Sequence, residues 1–78
     1  MAFVSSLEPV RKGRQTVHGP TRCLASVFDD DGQRFIQLDT YGSDDREHPE
    51  KVSQSVQFDK QAAAQLLKLI RETFPDLS

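Results

Sequence analysis

Two adjacent residues, Asp31 and Gly32, constrain this chain more than any others. They separate the runs "RCLASVFDD" and "QRFIQLDTY". Asp-Gly between two such runs is the strongest short-range hairpin signal. It closes a two-residue turn that needs φ > 0 at both positions and whose hand matches the twist of the flanking strands. The turn also sets the register. Asp30 then faces Gln33, Phe28 faces Phe35, Val27 faces Ile36, Ala25 faces Leu38, Cys23 faces Thr40 and Arg22 faces Tyr41. Two surfaces follow from the alternation of side chains along a strand. One carries Cys23, Ala25, Val27, Ile36 and Leu38, small or aliphatic residues suited to lie beneath a helix. The other carries Arg22, Leu24, Ser26, Phe28, Phe35, Gln37, Asp39 and Tyr41, a mixture of aromatic and polar groups.

The helix is expected at the C-terminal end. In "DKQAAAQLLKLIRETFP", Ala63, Leu66, Leu67, Ile70 and Phe74 follow helical offsets, Asp59 stands where an N-cap is needed and Pro75 ends the run. This predicts an amphipathic helix from Lys60 to Phe74, with Leu66, Leu67 and Ile70 on the aliphatic sheet face. Just before it, "KVSQSVQFD" alternates Val52, Gln54, Val56 and Phe58 against Ser53, Ser55 and Gln57, the pattern of a half-buried strand. "RQTVHGP" reads as a short first strand ending at Gly19-Pro20, and Met1 to Val10 has room for one more strand or turn. The expected architecture is α+β: a strongly bent antiparallel sheet of four to five strands, a half-barrel, followed by one C-terminal helix. Residues 1–13 read as a basic N-terminal arm and residues 14–78 as a single sheet-plus-helix domain.

With 78 residues, a domain buries only about 60% of the surface its unfolded chain exposes. A core this small supplies roughly 3–5 kcal/mol. The chain has one cysteine, so no internal disulfide staples it, and Cys23 reads as a small core residue. A homodimer is therefore expected, because association hides what folding alone leaves exposed. The N-terminus "MAFVSSLEPVRKGRQ" has no long apolar run and no small-residue cleavage site, and no segment approaches the length of a membrane span. A soluble cytoplasmic protein is expected.

The net charge of −2 argues against strong generic phosphate binding, but the charge is unevenly spread. Residues 1–28 hold four basic and one acidic residue, and residues 29–59 hold three basic and nine acidic. Arg11, Lys12, Arg14 and Arg22 make the N-terminal part able to contact phosphate or an acidic partner; the plainer reading is a solvated tail.

No catalytic constellation stands out. The stretch "GSDDREHPEK" gathers Asp44, Asp45, Glu47, His48 and Glu50, but without the spacing of a metal site, and it reads as a solvated connection. Asp39 with Glu50-Lys51 only faintly suggests a metal-dependent nuclease, in a core too small to shield such a site. Asp29, Asp30 and Asp31 fit turn chemistry, with Asp29 facing Arg34. No serine, cysteine or lysine has an activating partner placed by spacing. Neither enzymatic activity nor a cofactor is expected. The aromatic face is the better lead: Phe28, Phe35 and Tyr41 share it, with Arg22 beside Tyr41. Rings that stack on bases and cations that meet phosphates build single-strand platforms in this way. The plainer reading is a second core, closed by curvature or by a partner.

The segment "GQRFIQLDTYGSDDREHPEKVSQSVQFDKQAAAQLLKLI", Gly32 to Ile70, resembles the single-stranded-DNA-binding domain of the transcriptional coactivator positive cofactor four. There too a glycine turn leads into an aliphatic strand ending in tyrosine, then a polar loop, a short strand and an acid-capped helix. The resemblance implies a non-enzymatic single-strand binder. The family's stacking tryptophan falls on Gly42, its strand arginine on Asp39, and its basic pair on Ser53 and Gln54. Tyr41 and Lys51 keep the expected character. The bent sheet also resembles Sm-like RNA-binding barrels, although those place their helix before the strands, and the chain looks like short bacterial proteins. The candidate nucleic-acid-binding residues are Arg14, Arg22, Phe28, Phe35, Tyr41, Arg46 and Lys51, with single-stranded DNA or RNA as the ligand. A protein-interaction or dimerisation module is the alternative.

Overall fold

The computed structural model describes residues 1–42 and 51–77. Four strands and one helix follow in chain order: β1 Ala2–Val4, β2 Cys23–Asp30, β3 Gln33–Tyr41, β4 Val52–Phe58 and α1 Lys60–Thr73. They form an α+β unit whose open sheet has the spatial order β1-β4-β3-β2.

The central hairpin is as the turn dictates. Asp31 has φ 50° and Gly32 φ 78°, and β2 pairs antiparallel with β3 from Cys23 opposite Thr40 to Asp30 opposite Gln33, with Phe28 opposite Phe35. Arg34 Nε donates to Asp29 Oδ1 at 3.0 Å. This is an exposed ion pair of the kind that contributes at most about 1 kcal/mol. β3 pairs antiparallel with β4, with a register shift at Thr40/Tyr41.

The expected first strand is not there. Arg14 to Pro20 form no strand and are exposed. The sheet is completed instead by β1, parallel to β4, with Ala2 opposite Val56, Phe3 opposite Gln57 and Val4 opposite Phe58. The sheet is therefore mixed, not antiparallel. The physical reason lies in what each segment offers an edge: "AFV" buries more apolar surface than "QTVHG" and carries no Gly-Pro break. The intervening chain is tied at its two ends. The Leu7 amide donates to Gln65 Oε1 at 2.7 Å, and the Thr21 hydroxyl donates to the Tyr41 carbonyl.

α1 starts where its cap requires. Asp59 accepts from the Ala62 amide at 2.9 Å, and the Phe74 amide closes the last turn on the Ile70 carbonyl at 2.9 Å before Pro75. The helix packs mainly on β3 and β4 and leaves Cys23, Ala25 and Val27 of β2 exposed. The buried side is consequently turned from the expected one. Ala62 is fully buried, Leu66 and Ile70 are half-buried, and Leu67 is 47% exposed. Cys23, expected in the core, is exposed. Its neighbours on β2 fare no better, because Ala25 is exposed and Val27 is 65% exposed. Ala62 is the only buried residue among those described.

Candidate nucleic-acid interface

The sheet face away from α1 is built by alternation. The register brings Phe3 of β1, Ser55 and Gln57 of β4, Phe35, Gln37 and Asp39 of β3, and Leu24, Ser26 and Phe28 of β2 onto one side. Its hairpin end is aromatic. Phe28 and Phe35 stack with centroids 5.2 Å apart and an interplanar angle of 20°. Phe3 meets Phe35 edge-on at 5.8 Å and 74°. Both geometries lie within the range that aromatic quadrupoles favour. Phe3 remains 55% exposed.

At the other end of β3, the Arg22 guanidinium carbon lies 4.4 Å from the Tyr41 ring centroid, a cation–π contact that holds a positive charge against an aromatic surface. Lys51 is exposed one residue before β4, next to Val52, which is the partner of Tyr41.

Between the two ends runs a ladder of polar side chains. Gln57 Nε2 donates to Gln37 Oε1 at 2.9 Å. Gln37 Nε2 donates in turn to Asp39 Oδ1 at 3.0 Å and Oδ2 at 3.2 Å. The Ser55 hydroxyl also donates to Asp39 Oδ1. These groups hold one another in fixed orientations on a half-buried surface, and the acceptors they leave open, on Asp39 and Gln57, give the middle of the face an electronegative character.

The structure thus brings Phe28 and Phe35 together on the face away from α1 and sets Arg22 against Tyr41 at the far end of β3, where the register shift pairs Tyr41 with Val52, next to Lys51. Arg14 lies in the exposed irregular segment. Arg46, and the acidic loop proposed as a solvated connection, lie outside the described residues. Phe3 and the Gln37–Asp39–Ser55–Gln57 ladder are the parts that sequence reasoning missed. The polar alternation in "FIQLD" and "SQSVQF" was the available signal for the ladder, but joining them needed β3 and β4 to be neighbours in a known register. Phe3 offered a lone aromatic in an apolar triplet, a weak signal in a three-residue strand.

No family model matches the chain, and no curated protein or solved structure matches it significantly. Among the described residues, no helix is long and apolar enough to cross a membrane, and no three His, Cys, Asp or Glu residues gather in a metal-holding group.

Proposed function

We propose that the face away from α1 binds single-stranded nucleic acid, DNA or RNA, without catalysing a reaction, in the cytoplasm. The observation that carries this reading is a stacked Phe28–Phe35 platform on this face, with an Arg22–Tyr41 cation–π pair at the far end of the same strand β3. Bases have a π-face whatever their identity, so half-exposed rings such as Phe28, Phe35 and Tyr41 can accept them without sequence preference, while cations follow the phosphates. Phe35 and Tyr41 are six residues apart on β3, about 20 Å at the rise of a strand. That length suits a short single strand of about four nucleotides or more.

The ladder at the centre of the face tempers the charge. Asp39 repels phosphate, so the backbone is held at the rim by Arg22 and Lys51, joined by Arg46 and Arg14 from the flanking segments, and the bases lie inward. A duplex, whose phosphates line both sides and whose bases are already stacked, gains nothing from such a face. The same reading includes the curvature expected of the sheet, a half-barrel bent about the register shift at Thr40/Tyr41, since bulges bend the strand that carries them. It also includes an amphipathic α1 that backs the sheet.

A fluorescence-polarisation titration with labelled single strands tests the proposal. Binding that weakens with salt and is lost on replacing Phe35 supports it. A second reading, a protein-interaction module with no nucleic-acid role, is favoured by the bare half of the opposite face. Absence of binding to any single strand at low salt would leave that reading in place.

A further inference from the structure

The face that carries α1 is only half covered. Register puts Cys23, Ala25 and Val27 of β2 beside Leu38 and Ile36 of β3 on that face, and α1 stops short of them. The result is a groove of about 690 Å³ between the helix and the hairpin, with Val27, Ile36, Phe58 and Ala63 as its apolar lining. Val27 is 65% exposed and Ile36 39%. On the helix side Asp59, Lys60 and Gln61 line the groove with Ala63, and Leu67, one helical turn beyond Ala63 on the same ridge, is 47% exposed.

We infer that a second copy of this chain covers this groove, with the Ala63–Leu67 ridge of each copy seated over Val27 and Ile36 of the other. Three observations select a second copy. First, groove and ridge lie side by side on one chain. A two-fold axis between them lets each ridge enter the other groove, so the patch is complementary to itself. Second, the chain exposes 7209 Å², whereas a compact monomer of 8.8 kDa exposes about 4800 Å². The irregular segment before β2 takes part of that difference, and a standard interface needs only about 800 Å² from each partner. Third, no large side chain is fully buried among the described residues, so the interior of this domain is incomplete until its sheet face is closed. This inference does not rest on nucleic-acid binding, which is proposed for the opposite face, although Phe35 also borders the groove.

Sedimentation equilibrium of the full chain at micromolar concentration is the test, with circular dichroism to follow folding. The wild type is expected at twice the 8.8 kDa chain mass. Val27→Lys and Leu67→Glu, each alone, should raise the dimer dissociation constant at least about 30-fold, the effect of losing a central interface anchor. Because either variant could unfold once its partner is lost, the two are also mixed in equal amounts. Lysine at position 27 of one copy then meets glutamate at position 67 of the other, and the mixture should recover mass and helicity. Leu24→Asp, on the opposite face, should leave the mass unchanged. A folded wild-type monomer, or a wild type that assembles only with another protein, would overturn the inference. So would unaltered dimers of both single variants, or a mixture that does not recover.

Discussion

Asp31 and Gly32 hold positive φ angles of 50° and 78°, and the hairpin depends on both. A Cβ at Gly32 would meet no neighbour, so the cost of replacing it is one of backbone conformation alone. Gly32→Val, β-branched and confined to negative φ, should destabilise by about 1–3 kcal/mol, read from the midpoint of chemical denaturation. An unchanged midpoint would mean the turn has re-formed with another geometry. Asp59 and Gly32 were legible residue by residue because each role is local: one caps a helix, the other opens a turn. Asp39 was not. Its meaning depends on Ser55, sixteen positions away, and on which strand lies beside β3. Asp39→Asn keeps an acceptor for Ser55 while removing the charge. It should leave the thermal midpoint within a few degrees and tighten single-strand binding several-fold, since one fewer negative charge faces the phosphates. Weaker binding after this change would show that the carboxylate itself contacts the ligand.

At the scale of elements, the hairpin, the β4 strand and the helix were readable from periodicity, and the edges were not. β1 is three residues long, below the length at which alternation can be seen, and its parallel pairing to β4 joins segments more than fifty positions apart. "RQTVHGP" has a strand-like centre but loses to "AFV" because an edge position rewards apolar area rather than pattern. Removal of residues 1–4 should therefore expose the β4 edge and Phe35, lowering stability by about 1–3 kcal/mol and promoting association through the freed edge. Thermal melting and light scattering report the two effects. Deleting residues 14–17, by contrast, should leave the melting midpoint nearly unchanged. The helix illustrates a second limit of pattern reading. Its apolar stripe, Ala63 to Phe74, was visible, but the part placed against the sheet runs through Ala62, Leu66 and Ile70. Offsets locate a stripe to within about one residue's rotation, 100°, and where on that stripe the sheet lands is decided by how far the sheet extends.

Over the whole molecule, the sheet has two faces with different apolar character, and the division was legible from the register of a single turn. What covers each face was not, because burial is a property of neighbours that one strand pair does not contain. Charge works at this same scale. In residues 29–59 the acidic residues outnumber the basic ones nine to three, and the proposed phosphate contacts are correspondingly few. Replacing Arg46 and Lys51 together with alanine should lower affinity for a single strand and flatten the dependence of log affinity on log salt by about one to two phosphate contacts. Replacing Asp44, Asp45 and Glu47 with their amides should strengthen binding or leave it as it was. A slope unchanged by the loss of both cations would move the phosphate path to Arg14 and Arg22.

The central claim, that the aromatic face receives a single strand, is tested most directly by one titration. Fluorescence polarisation of labelled single-stranded DNA and RNA oligonucleotides is followed with the wild type and with Phe35→Ala, each at two salt concentrations. The account predicts that the wild type binds single strands better than a duplex and that affinity falls as salt rises. It also predicts that Phe35→Ala costs about 1–3 kcal/mol of binding, the value of one stacked base, with the salt slope unaltered because no phosphate contact is removed. No single-strand binding at low salt, or equal affinity of wild type and Phe35→Ala, would contradict it.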